Sequence, residues 1–160
     1  MATPDPRRND SENHNWVLAA PFRAHVRQVQ AVTTLPWAAL AAHAGVSPTM
    51  VHHLVFGRRG RPVRRISRET AVRLLAVTSA DLSALSGTWV ATAATADRLR
   101  LLIAGGCDVD SLASWCRLTP SALLALDDSP RCTRLTELLV YAACLVRPRL
   151  FEPDAADAAA

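Results

Sequence analysis

Leu40-Ala41-Ala42-His43-Ala44-Gly45-Val46-Ser47-Pro48-Thr49-Met50-Val51-His52-His53-Leu54 decides the reading of this chain. Its apolar positions, Leu40, Ala41, Ala44, Val46, Val51 and Leu54, recur at helical spacing on either side of Gly45. Gly45 stands where one short helix must turn into the next, and a left-handed backbone costs glycine little. Ser47 suits the N-cap of the second helix and Pro48 its first turn. The stretch therefore predicts two short helices joined by a tight turn, with small residues at their contact: a helix-turn-helix.

The same signals extend outward. Pro21 suits the first turn of a helix running to about Ala31, with Phe22, Val26 and Val29 on one face. Thr34-Leu35-Pro36-Trp37 opens the helix that ends at Gly45. Downstream, Gly57 is placed to close the second helix in the left-handed conformation. Ser67 is placed to cap a helix running to about Val77, with Ala71, Leu74 and Leu75 inward. Ser79 to Leu85 forms one more short helix, and Ser86-Gly87-Thr88 marks a boundary. Half of the 160 residues are hydrophobic and 5% are aromatic, enough for an aliphatic core. No alternating pattern persists, so the predicted fold class is all-α.

Beyond the boundary the pattern returns. A shift of 72 carries Leu40, Ala41, Ala44, Val46, Val51 and Leu54 onto Leu112, Ala113, Cys116, Leu118, Leu123 and Leu126, and Ser47-Pro48 onto Thr119-Pro120. The chain therefore reads as a tandem repeat. Residues 1–15 are expected to be disordered, 16–86 to form a first helix-turn-helix domain, 91–148 a second, degenerate one, and 149–160 a tail. Gly45 is matched by Arg117, which must tolerate or avoid a left-handed turn.

Charge separates the two halves. All 18 basic residues are arginine, and the formal net charge is +4. Residues 21–80 hold nine arginines and one acid, Glu69, whereas residues 81–160 hold seven arginines and ten acids. Only the first half suits a polyanion. Arg58, Arg59, Arg61, Arg64, Arg65 and Arg68 form an acid-free cluster directly after the second helix. Arg59-Gly60-Arg61-Pro62 matches the core of an AT-hook, an extended strand lying in the DNA minor groove. The cluster is read as a minor-groove or phosphate-binding segment.

With Val51 and Leu54 turned inward, Ser47, Thr49, Met50, His52 and His53 are left to face a major groove. None makes an obvious bidentate pair with a base, so readout by this helix is expected to be modest. In the second unit, Ala122, Leu124 and Ala125 form an exposed apolar face followed by Asp127 and Asp128. That face is a candidate partner interface, for a homodimer or another protein. A second DNA contact through Arg117, Arg131 and Arg134, or a structural role, remains open.

The run from Leu40 to Gly57, followed by Ile66-Ser67-Arg68-Glu69-Thr70-Ala71-Val72-Arg73-Leu74-Leu75, resembles the DNA-binding domain of lambda-repressor/Cro-like and LacI-like regulators. The resemblance spans roughly residues 21–85. It implies sequence-specific binding to double-stranded DNA and transcriptional control. The long basic segment between Gly57 and Ile66 departs from the family pattern.

Other chemistry has little footing. No nucleophile–base constellation or paired carboxylates stand out, so no catalytic residue is expected. His43, His52 and His53 lack a nearby acid or cysteine, so no metal and no cofactor are expected. Cys107, Cys116, Cys132 and Cys144 form no Cys-x-x-Cys pair and read as reduced, buried small hydrophobes. No segment has the length and apolarity of a membrane span, and the polar N-terminus lacks a signal-peptide core, so a cytoplasmic, nucleoid-associated location is expected. The functional expectation is a DNA-binding repressor. The alternatives are a protein-interaction adaptor and a phage DNA-packaging or recombination accessory protein.

Overall fold

The computed structural model describes residues 15–150, which divide into two compact units between Ser79 and Ala80. The disorder expected at the N-terminus and the tail lie outside the described residues, apart from Asn15 and the end of the last helix. The division falls upstream of Ser86-Gly87-Thr88, because the 3-10 turn Leu85–Gly87 packs against the final helix of the second unit.

The first unit runs β1 (Trp16–Leu18), α1 (Ala20–Thr33), α2 (Trp37–Ala44), α3 (Pro48–Phe56), β2 (Arg65–Ser67) and α4 (Arg68–Leu75). Proline in its first turn starts α1, and Val26 and Val29 face inward. Gly45 ends α2 at φ +64°, and its amide and that of Val46 bond back to Ala42 and Ala41. Ser67 caps α4, its Oγ accepting from the Thr70 amide at 3.2 Å. Val26, Ala41, Val51, Leu54, Val55, Ile66, Ala71 and Leu74 meet in one core. Each large side chain buried there contributes about 1.5–3 kcal/mol over leaving it in water.

All-α is too narrow a class. The chain is mostly helical, but each unit also carries a two-stranded antiparallel sheet. In the first, Trp16 pairs with Ser67, Val17 with Ile66 and Leu18 with Arg65. Ile66 drives the pairing, because its side chain is 1% exposed on the core. Strands of three residues are too short to display an alternating pattern, and their partners are far apart in sequence.

The second unit begins with α5 (Ser79–Ala84), most of which belongs to it, and the 3-10 turn. It then runs β3 (Trp89–Ala91), α6 (Ala93–Ala104), α7 (Val109–Cys116), α8 (Pro120–Leu124), a 3-10 turn (Ala125–Asp127), β4 (Arg131–Thr133) and α9 (Arg134–Leu150). From β3 onward its element order repeats that of the first unit. Trp89 pairs with Thr133, Val90 with Cys132 and Ala91 with Arg131. The flanking bonds repeat too. Ala19 N–H donates to Arg64 O and Arg68 N–H to Asn15 O, as Thr92 N–H does to Pro130 O and Arg134 N–H to Thr88 O.

Asp108 caps α7, Thr119 caps α8 and Thr133 caps α9, each accepting from the amide three residues on. That bond holds the Asp108 carboxyl below its ordinary range. Arg117 does adopt the left-handed turn, at φ +58° and ψ +37°, beside Gly45 at +64° and +32°.

The repeat does not keep one offset. Trp37 and Val109 open equivalent helices 72 residues apart, whereas Arg65 and Arg131 open equivalent strands 66 residues apart. From the start of its third helix to the start of its second strand the second unit is thus six residues shorter, four in the helix and two in the connection, where the first carries its arginine cluster.

Candidate nucleic-acid interface

The structure sorts the five residues expected to face outward from α3. Ser47 and Thr49 are exposed. Ser47 occupies the N-cap position, but its side chain makes no cap hydrogen bond. His53 is half-buried. Met50 is half-buried against the core and lines a shallow cavity with Val46, Thr70 and Arg73, so it faces α4. His52 is also half-buried, edge-on to Trp37 at 5.2 Å and tilted on Phe56 at 4.9 Å. Both side chains are thus partly taken up by packing within their own unit. Phe56 is 60% exposed at the end of α3, a position that helical spacing of buried residues does not signal.

Arg58, Arg59, Arg61, Arg64, Arg65 and Arg68 are all exposed. The extended AT-hook reading of Arg59-Gly60-Arg61-Pro62 is overturned. Arg58 N–H donates to Arg61 O at 2.8 Å, and Arg61 N–H donates to Arg58 O at 3.1 Å. Arg59 and Gly60 both have positive φ, +52° and +73°, as a type I′ hairpin turn requires. The segment is a tight hairpin with Arg59 at its tip. Gly57 is its base. It sits at φ +89° and ψ 174°, outside the left-handed helical region expected of it, and a Cβ there would lie 2.8 Å from Arg61 O.

The field around this surface is positive. Glu69 is the sole acid of residues 15–79, and its carboxylate takes the Arg73 guanidinium at 2.6 Å. Arg73 also donates to Gly45 O at 2.7 Å, tying α4 to the turn between α2 and α3. Two further arginines hold the end of α3. Arg23 Nε donates to Leu54 O at 2.7 Å and Arg27 Nη2 to Val55 O at 2.8 Å. Neither contact is legible in the sequence, because nothing local to α1 signals a carbonyl partner some thirty residues away.

Comparison with known proteins finds no matching family model, no matching curated protein and no matching solved structure.

In the second unit, Ala122, Leu124 and Ala125 are all exposed, Leu124 by 52%. Leu124 stands where the first unit has His52, and Asp128 where it has Phe56. Arg100 is held by Asp97 and Asp127, at 2.6 and 2.7 Å. Cys107, Cys116 and Cys132 are buried and Cys144 half-buried, none in a disulfide. Burial, and after it Cys144, pushes the Cys116 thiol up to about 12. No helix among the described residues is long and apolar enough to cross a membrane.

Proposed function

We propose that this chain is a sequence-specific, double-stranded DNA-binding transcriptional regulator that represses by occupancy through its first unit. One observation carries the reading: α3 leads directly into a segment bearing six exposed arginines, with Glu69, the one acid of residues 15–79, paired to Arg73. In this reading, α2 and α3 form a helix-turn-helix, and α3 enters the major groove with Ser47, Thr49 and His53 toward the bases. The hairpin reaches the flanking backbone or minor groove, where phosphates and negative potential attract arginine. The second unit is a degenerate copy. Its Ala122, Leu124 and Ala125 face fits dimerisation or docking better than a groove, which favours a protein-interaction adaptor as the second reading.

Selection from fragmented genomic DNA at about 150 mM salt, followed by titration, separates the two. A regulator prefers a selected site over bulk DNA by at least roughly a thousandfold. Equal affinity for selected and unselected fragments removes the regulator reading.

A further inference from the structure

Arg23 links two parts of the first unit that the sequence separates. Its half-buried guanidinium donates from Nε to Leu54 O at 2.7 Å and from Nη2 to Val63 O at 2.6 Å. One side chain thus joins the last turn of α3 to the returning arm of the hairpin. With Arg27 on Val55 O and the Gly57 amide on His53 O, three successive carbonyls at the end of α3 are occupied. Two of these donors are cations, which the negative end of the helix dipole favours.

The second unit serves as an internal comparison. Arg23 is replaced there by Ala96, buried at 3% exposure. Arg27 is replaced by Arg100, which turns to carboxylates instead. The end of α8 tightens into a 3-10 turn, and local amides take its carbonyls: Asp128 N–H donates to Ala125 O and Ser129 N–H to Leu126 O. A cavity of about 370 Å³ lies beside Ala96, Asp127 and Pro130, the counterparts of residues around the Arg23 contact. A guanidinium bridging two backbone carbonyls and the hairpin occur together in the first unit, and among the described residues of the second neither is present.

We propose that Arg23 is a positioning residue for DNA binding, which rests on the reading above. By bridging Leu54 O and Val63 O it sets the distance between the outer side of α3 and Arg59 and Arg61. Helix and hairpin then meet the duplex as one preformed surface, without an ordering cost at binding. Lysine retains the charge but offers a single nitrogen in place of the planar Nε and Nη2 fork that spans the two carbonyls.

The test titrates the full chain, as wild type, Arg23→Lys and Arg59→Asn/Arg61→Gln, onto a duplex of about 30 base pairs over a range of salt. Arg23→Lys is expected to bind about tenfold more weakly and to flatten the slope of log affinity against log salt by roughly 1–2, with no charge removed. Amide exchange on the wild type gives a readout that survives a variant failing to fold: Arg58 and Arg61 amides should exchange slowly without DNA. Rapid exchange at both overturns the preformed hairpin. A folded Arg23→Lys with unchanged affinity and slope, beside a weakened hairpin variant, overturns the role of Arg23 alone. A wild type that binds no duplex overturns the DNA-binding reading and this proposal with it.

Discussion

Replacing Arg59 by Asn and Arg61 by Gln removes two charges from the hairpin while leaving its backbone intact. Asn tolerates the positive φ at position 59, and Asn-Gly is a preferred pair for a type I′ turn. Arg61 makes its hairpin bonds through its own backbone, so the side chain is free to change. Stability should shift by no more than about 0.5 kcal/mol. If each arginine neutralises one phosphate, the slope of log affinity against log salt flattens by about 1.8. If that contribution vanishes near 1 M salt, the double variant binds about 30-fold more weakly at 0.15 M, a loss of about 2 kcal/mol. Lowering the salt threefold widens the gap by a further factor of about seven. Fluorescence anisotropy with a labelled duplex, at four or five salt concentrations, measures both quantities. A parallel pair of lines, or coincident ones, would show that the hairpin does not touch the phosphate backbone and would refute the reasoning.

Further outcomes follow from the geometry. Arg117→Gly relieves a left-handed non-glycine residue and should stabilise the second unit by about 1 kcal/mol in urea unfolding. Gly45→Ala should cost a similar amount, since its Cβ would meet nothing closer than Arg73 Nη1 at 3.7 Å and the strain is of the backbone alone. Leu54→Ala, at a fully buried site, should destabilise the first unit by about 2–5 kcal/mol. Leu124→Ala should cost under about 0.5 kcal/mol, yet weaken any self-association seen by sedimentation. Because burial raises the Cys116 thiol from 9.0 to about 12, the folded state holds its proton more tightly than the unfolded chain. That stability is complete below pH 9 and is lost as pH rises toward 12, so a pH series of unfolding midpoints should fall there and flatten in Cys116→Ala.

The legible parts of this chain were those whose signal is local. Gly45, Pro48, Ser67 and Thr119 mark helix ends by the backbone angles or caps they supply, and Val51, Leu54 and Leu74 mark buried faces by their spacing. The charge asymmetry was equally plain, because charge adds along the chain without reference to shape. Three things were not legible. The strands escaped because three residues show no period, and Val17 meets Ile66 only after the intervening helices fold back. The full repeat escaped because its offset drops from 72 to 66, hiding Arg65-Ile66-Ser67-Arg68 against Arg131-Cys132-Thr133-Arg134. The hairpin escaped because Arg59-Gly60-Arg61-Pro62 is compatible with an extended strand or a tight turn. By itself, then, the sequence determined where helices start and stop and which half is basic. Tertiary structure decided how far the outer α3 residues pack down, since Trp37 and Phe56 flank His52 and the core takes part of Met50. It also decided the form of the basic segment, because the carbonyls that Arg23 bridges come together only when α1 packs on α3.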